Sequence, residues 1–146
     1  MNVAYYDSAY LFKAMSRESS ADAVQAHAIS LDAIASSQHG RVEIASICHR
    51  KVREKAATAE QVGVLLAQLS KDAAVGNIRW LPLSEKVLKR AEAVFAAAPS
   101  TLFLRAADAL HLACAAENGF SDVYSNDRHF LDAAPLFGLL GINVIP

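Results

Sequence analysis

The chain has 146 residues, of which 53% are hydrophobic and 20% are charged, and its formal net charge at pH 7 is −1. The apolar fraction excludes a disordered chain, and the near-neutral charge excludes a uniformly basic nucleic-acid coat protein. No apolar run reaches the roughly 18 residues of a membrane span, the start of the chain lacks the pattern of a signal peptide, and two cysteines make no disulfide framework. We therefore predict a single cytoplasmic domain over residues 1–146.

Short β-prone segments alternate with helical patterns along most of the chain. The predicted strands cover residues 2–6, 31–37, 78–81, 123–125 and 142–145. The predicted helices cover residues 9–15 (capped by Ser8), 20–29, 38–56, 58–75, 84–98, 105–117 and 127–134. This alternation predicts an α/β fold with a parallel sheet covered by helices on both faces.

Apolar residues at helical spacing predict which face of each helix is buried. For residues 38–56 the predicted face consists of Val42, Ala45, Cys48, His49, Val52 and Ala56. For residues 84–98 it consists of Val87, Leu88, Ala91, Val94 and Phe95. In residues 58–75 the stripe is Val62, Leu65, Leu66 and Leu69.

Two carboxylates come directly after predicted strands: Asp7 after the first and Asp127 after the fourth. The carboxyl ends of parallel strands share one edge of the sheet, where ligands bind, so these side chains should lie close together. Each could also be an ordinary helix N-cap, which is the commoner role of Asp at such a position.

Two further acids lie on predicted helices. Asp108 shares an apolar column with Leu104, Leu112 and Ala115, which predicts a partly buried carboxylate that needs a cation or several donors. Arg105, three residues away, could be that partner in a plain helical ion pair. Glu43 lies early in its helix and could be solvated.

Taken together, the four acids favour a metal site. Several carboxylates at one sheet edge repel each other unless cations neutralise them. Oxygen ligands without a matching set of His and Cys suit Mg²⁺ or Mn²⁺ better than Zn²⁺.

At these residues the sequence resembles the PIN-domain ribonucleases, and most closely the VapC toxins of type II toxin–antitoxin pairs. Four motifs carry the resemblance, in order along nearly the whole chain: residues 5–13 (YYDSAYLFK), Ser37 with residues 42–44 (VEI), residues 104–113 (LRAADALHLA) and residues 123–128 (VYSNDR). The third motif is the most specific. The sequence departs from the family in its aromatic first strand and in Asn126, and neither departure removes a carboxylate.

The resemblance implies a three-layer α/β/α domain with five parallel strands, and a ribonuclease that uses metal-activated water. Asp7 and Asp108 would be the main ligands of Mg²⁺ or Mn²⁺, Glu43 would complete or flank that site, and Asp127 would hold a second ion or position water. Hydroxyl and amide side chains could bind metal waters or ligand oxygens, although helix capping explains the serines equally well; these are Ser8, Ser37, Ser125 and Asn126. His111, which shares a helix side with Asp108, is interpreted as a supporting or packing residue rather than a ligand.

The same resemblance implies an RNA substrate, inhibition by a cognate antitoxin, and a homodimer. Five basic residues between positions 41 and 55 could contact RNA phosphates, with Arg50, Lys51 and Arg53 the candidates, but a solvated helix face explains most of them.

Other classes explain the sequence less well. A nucleotide-binding domain would need a glycine-rich loop after the first strand, where the chain has Asp7-Ser8-Ala9-Tyr10, so we expect no nucleotide cofactor. A response-regulator receiver lacks its paired acids, and an Asp-x-Asp phosphotransferase lacks its second Asp because Ala9 stands there. A PIN-like protein that binds RNA or a partner without cutting it remains the alternative.

Overall fold

We describe a computed structural model of the chain, covering residues 1–16, 18 and 21–146. Within these residues, five strands alternate with seven α-helices and a 3₁₀ turn at Ala134–Phe137. The strands are β1 (Val3–Tyr6), β2 (Ala33–Ser37), β3 (Ile78–Leu81), β4 (Asp122–Tyr124) and β5 (Leu140–Ile142). The helices are α1 (Ser8–Met15), α2 (Asp22–Ile29), α3 (Gly40–Arg53), α4 (Ala59–Ala74), α5 (Glu85–Ala97), α6 (Ala106–Glu117) and α7 (Arg128–Ala133).

The five strands form one parallel sheet in the order β3-β2-β1-β4-β5, which confirms the predicted α/β class. The chain moves from β1 to one side through β2 and β3, and then crosses to the other side for β4 and β5. The topological switch therefore lies between β1 and β4, where ligands bind in open parallel sheets.

Two hydrophobic cores cover the two faces of the sheet, and β1 contributes to both. Tyr5 packs with residues of α5, α6 and α7, whereas Tyr6 packs with residues of α1, α2, α3 and α4. Successive side chains of a strand point to opposite faces, so adjacent tyrosines anchor opposite layers. Each tyrosine hydroxyl also bonds to a histidine in its own layer. The Tyr5 hydroxyl lies 2.8 Å from His111 on α6, and the Tyr6 hydroxyl lies 2.5 Å from His27 on α2.

Side-chain caps begin four of the helices. Thr58 and Ser84 cap α4 and α5, as their residue types predict. The predicted cap at Ser8 is wrong: Asp7 caps α1 by accepting a hydrogen bond from the Tyr10 amide, and Ser8 is already helical. Asp127 caps α7. The predicted start of the second helix, Ser20, lies outside the described residues.

The predicted helix faces need correction for α3 and α5. On α3 the buried side chains are Ile44 and Cys48, while Val42 is exposed. On α5 the buried side chains are Val87 and Ala91, while Leu88 and Phe95 are partly in solvent. Both helices carry apolar residues on more than one stripe, so periodicity alone does not identify the stripe that becomes buried.

The last strand begins earlier than predicted and ends at Ile142. Its register pairs Asp122 with Leu140 and Tyr124 with Ile142. Because β4 ends at Tyr124, no partner strand continues beyond Ile142, and the Val144 amide instead donates to the Tyr10 hydroxyl at 2.8 Å. The sequence pattern of residues 142–145 is apolar enough for a strand, but the neighbour that would pair with it is absent.

Among the described residues, no helix combines the length and the apolar character that crossing a membrane requires.

Candidate metal centre

The predicted acids lie at the carboxyl edge of the sheet, on both sides of the switch between β1 and β4. Asp7 follows β1 directly, and its amide donates to the Tyr124 carbonyl at the end of β4, at 3.2 Å. Asp127 follows β4 after a two-residue turn. The parallel pairing of β1 with β4 therefore brings together residues that are 120 positions apart in sequence.

Asp7 is the most deeply buried of the four carboxylates, with 6% of its surface exposed. One oxygen, Oδ1, accepts from the Tyr10 amide at 2.9 Å, and the other, Oδ2, accepts from the Ser125 hydroxyl at 2.5 Å. Burial raises the pKa of Asp7 to about 6, and the nearby charge of Asp108 acts in the same direction. Asp7 is thus a carboxylate whose negative charge is costly until a cation approaches.

Asp108 and Asp127 are joined by one guanidinium group. Arg105 donates from Nε to Asp108 at 3.2 Å and from Nη2 to Asp127 at 2.9 Å. Burial raises the pKa of Asp108, as does the charge of Asp127, while Arg105 opposes both. The sequence-based pairing of Arg105 with Asp108 is confirmed as a contact, and the second contact to Asp127 was not predicted.

Glu43 points from the first turn of α3 into a cluster of polar side chains. Its Oε1 atom lies 2.6 Å from His111 Nε2 and accepts from the Ser8 hydroxyl at 2.8 Å. His39, one turn earlier on α3, has its Nε2 atom 3.4 Å from the same oxygen. Burial raises the pKa of Glu43, but the contacts with His111 and Ser8 outweigh it, so the pKa is lowered overall.

The two histidines are held in place by contacts behind them. His111 is 1% exposed, and its Nδ1 atom lies 2.8 Å from the Tyr5 hydroxyl. His39 lies 2.9 Å from the Ser37 hydroxyl through Nδ1 and 3.0 Å from the Ala107 carbonyl through Nε2. Both rings are therefore oriented by the sheet edge and by α6.

The four acids form one electrostatic cluster. The charge of Asp108 acts on Asp7, and that of Asp127 acts on Asp108. The charge of Glu43 raises the pKa of Arg105, as do the charges of the two acids that Arg105 contacts. The three aspartates also make the local contacts that their structural interpretations predict: Asp7 and Asp127 cap helices, and Asp108 pairs with Arg105. Glu43 is not the solvated residue of its structural interpretation, since it bonds to His111 and Ser8.

The donor atoms that suit divalent ions form two sets that share no residue, and among the described residues only the second brings three ligand atoms close together. Asp7, Asp108 and Asp127 offer carboxylate oxygens, the ligands that Mg²⁺ and Mn²⁺ prefer. Glu43 joins His39 and His111 in a second set, whose ligand atoms all lie within 4.8 Å of one another. A mixed set of nitrogen and oxygen also accepts Mn²⁺ and other transition ions. The residues present therefore fit a divalent metal.

Sequence reasoning missed His39 and gave His111 a supporting role. One signal was available for His39, because it lies four residues before Glu43 and so shares a face of α3 with it. No sequence pattern relates this pair to His111, which is 68 positions away from Glu43. The three side chains come together because α3 and α6, which cover opposite faces of the sheet, both begin at its carboxyl edge.

The predicted supporting residues differ in their contacts. Ser8 donates to Glu43, Ser37 contacts His39, and Ser125 donates to Asp7. Asn126 is exposed.

The basic candidates lie in the last turn of α3, where cations also stabilise a helix end. Arg50 is seven residues beyond Glu43, or about 10 Å along the helix axis. Lys51 is engaged with Glu18, at 2.5 Å.

We expect Ser125→Ala to weaken Mg²⁺ binding about 10-fold, as the loss of an outer hydrogen bond to a ligand commonly does. The Ser125 hydroxyl donates to Asp7 and accepts from the Asp127 amide at 3.0 Å, so it positions two predicted ligands. Titration calorimetry with Mg²⁺ measures the change. Ser70→Ala, at an exposed position on α4, is the matched control, and equal affinities in both variants would contradict the expectation.

A family model for the PIN domain matches residues 4–135. Two solved structures are similar over almost their whole length. FitAB bound to the IR36 DNA fragment is 14% identical, with a TM-score of 0.67, and the match covers 99% of this chain and 96% of that one. VapBC2 from Rickettsia felis, bound to a DNA fragment from its promoter, is also 14% identical, with a TM-score of 0.66 and coverage of 97% and 98%. At that identity the likeness concerns the fold. No curated protein matches the sequence.

Proposed function

The chain belongs to the PIN domain family, and from that premise we propose that it is a metal-dependent endoribonuclease, a VapC-type toxin that a cognate antitoxin neutralises. The observation that carries the proposal is the convergence of Asp7, Glu43, Asp108 and Asp127 at the topological switch of the sheet. Carboxylates that only capped helices or paired on the surface would not need to share one electrostatic cluster.

In this proposal Asp7 and Asp108 are the main ligands of Mg²⁺ or Mn²⁺, with Glu43 completing or flanking the site and Asp127 holding a second ion or a water molecule. A bound ion would activate water and offset negative charge on the scissile phosphate. The chain's own contribution is orientation: Ser125 fixes Asp7, and His111 with Ser8 fixes Glu43. Without a cation, the cluster would repel a phosphodiester.

Arg105 is the one cation that already touches the acids among the described residues. Its side chain is 59% exposed, so it can turn toward a phosphate when an ion takes its place between Asp108 and Asp127. Arginine binds phosphate oxygens through paired N–H groups, which would help to align the substrate.

We expect purified protein to cleave single-stranded RNA in Mg²⁺ or Mn²⁺ and to lose that activity in EDTA. Activity should return when the ion is added back. Attack by water leaves no 2′,3′-cyclic phosphate, whereas attack by the ribose 2′-hydroxyl does, so chemical analysis of product ends distinguishes the two routes. Cleavage that persists in EDTA, or cyclic products, would contradict the proposed mechanism.

The antitoxin part of the proposal is supported by the similar folds of FitAB and VapBC2, both of which are two-component complexes. A groove of about 870 Å³ beside α1, α3 and α4 offers a surface for a partner segment, with Phe12, Val62 and Leu65 in its lining. Co-expression should relieve growth arrest when an adjacent open reading frame supplies the antitoxin. We also propose that the protein forms a homodimer and that it is located in the cytoplasm.

A second candidate function keeps the fold without catalysis: a PIN-like module that binds RNA or a partner. The pairing of Arg105 with both Asp108 and Asp127 favours it, because that pairing offsets part of their negative charge with no ion present. RNA binding without cleavage under any metal condition would identify this module.

A further inference from the structure

Phe103 and His129 form a pair of contacting, tilted rings at the surface. Phe103 is 54% exposed and His129 is also exposed. Their ring centroids are 4.3 Å apart and their planes make an angle of 37°. A single exposed hydrophobic side chain needs no explanation, so the location of this ring pair decides whether it has a function.

The backbone presents Phe103 on the same side as Arg105. Leu102 and Leu104 pack against the core next to α5 and α6, whereas Phe103 and Arg105 are exposed. Arg105 itself has an extended backbone, with φ −88° and ψ 152°. In an extended segment alternate side chains share a side, so burial of the two leucines turns the ring and the guanidinium together toward solvent.

The ring pair is fixed to the edge of the carboxylate cluster by two contacts of Asp127. Arg105 donates to Asp127 Oδ2 at 2.9 Å, and the His129 amide donates to Asp127 Oδ1 at 2.8 Å. Each ring is therefore within two residues of a group that touches this predicted ligand. Arg128, whose side chain is 91% exposed, adds a second cation beside it.

We propose that the ring pair of Phe103 and His129 binds an unpaired nucleobase of the RNA at the edge of the carboxylate cluster. The inference deepens the proposed nuclease function and rests on it. Exposed aromatic rings stack on any nucleobase, while the adjacent arginines attract the backbone. A base within a duplex has both faces covered by its neighbours and cannot reach the rings.

A second copy of the chain is the competing occupant, because exposed aromatic residues also occur at protein interfaces. The arginines and the acids around the ring pair favour a polar, charged ligand such as a nucleotide, since the centres of protein interfaces are depleted of charge. The oligomeric state of the variants is therefore measured alongside RNA binding.

The test is fluorescence anisotropy in Mg²⁺ with a labelled 2′-O-methyl RNA of roughly ten nucleotides. Because this modification does not block attack by water, a gel run after each titration checks that the RNA is intact. The same RNA is tested as a duplex and with abasic positions. We expect wild type to prefer the single strand, and Phe103→Ala to weaken that binding about 10-fold. Phe103→Trp should retain it. The matched control is Phe95→Ala, which removes a ring that is 46% exposed in the last turn of α5.

His129→Ala is the second variant, because it removes a ring while its amide can still bond to Asp127. It should weaken binding of the single strand and leave thermal unfolding unchanged. Abasic RNA should bind wild type and Phe103→Ala equally. The inference is overturned by equal affinity for duplex and single strand, by no loss in either ring variant, by no RNA binding at all, or by a dimer that Phe103→Ala turns into a monomer.

Failure of the inference and failure of the proposed function give different results. Binding of single-stranded RNA that depends on the rings, together with no cleavage of unmodified RNA, would contradict the proposed nuclease function and support the second candidate function. Metal-dependent cleavage with no effect of Phe103→Ala on binding would support the nuclease and overturn the ring pair as a base site.

Discussion

Asp7→Asn and Asp108→Asn are each expected to reduce metal-dependent RNA cleavage by about 10³-fold and to abolish toxicity on expression. Asparagine keeps the size of the side chain but removes the negative charge that would hold the ion. In Asp7→Asn the side-chain amide oxygen would still accept from the Tyr10 backbone amide, so the cap of α1 survives. The expected loss is therefore one of ion binding and catalysis, not of folding.

The control for this experiment is Asp132→Asn on α7, whose side chain is 64% exposed and pairs with Arg128 at 4.0 Å. It should cleave like wild type. Initial rates across Mg²⁺ concentrations separate weak ion binding from slow chemistry. If Asp7→Asn kept more than about a tenth of the activity, Asp7 would not be a main ligand of the proposed metal centre.

In the metal-free protein, Asp7 is expected to contribute stability that is lost as the pH rises from about 4 to about 7, and Asp7→Asn should remove that pH-dependent contribution. The folded chain holds a proton on Asp7 up to its pKa of about 6, whereas the unfolded chain releases it near 3.8. A pKa raised by folding contributes stability below the unfolded pKa, and that contribution disappears as the pH rises through the folded pKa. The shift corresponds to about 3 kcal/mol at most.

Urea unfolding in EDTA at several pH values measures this effect. The difference in unfolding free energy between Asp7→Asn and wild type should grow with pH and favour the variant at neutral pH. Asp108, whose pKa is also raised, contributes a slope of the same sign in both proteins. The groups with lowered pKa values contribute slopes of the opposite sign in both proteins, so the difference between the two proteins reports on Asp7; these groups are Glu18, His27, His39 and Glu43. Parallel curves for the two proteins, or a variant that is less stable at pH 7, would contradict the expectation.

The sheet and the approximate position of the acids could be predicted because both depend on local signals. Strands alternate with helices, and a carboxylate directly after a strand must lie at the carboxyl edge of a parallel sheet. The faces of α3 and α5 could not be predicted in the same way. On α3 the predicted Val42 is exposed, and the buried Ile44 lies outside the predicted stripe. On α5 the predicted Val87 is buried, but its neighbour Leu88 is partly in solvent.

The contacts within the site depend on packing between distant segments. Glu43 was predicted from a motif, yet its contact with His111 follows from the way α3 and α6 meet. The pairing of Phe103 with His129 likewise joins the segment before α6 to the start of α7, and no pattern in either segment indicates the other.

The adjacent tyrosines of β1 have a consequence for how the site moves. Asp7 follows a central strand that is anchored to both helical layers, so its amide should be among the slowest to exchange with deuterium. Asp127 and His129 belong instead to a six-residue helix and its cap at the periphery, where local opening costs less. The site therefore has a rigid side at Asp7, which suits a small ion. Its other side, at Asp127 and His129, is flexible and can adjust to nucleotides of different size.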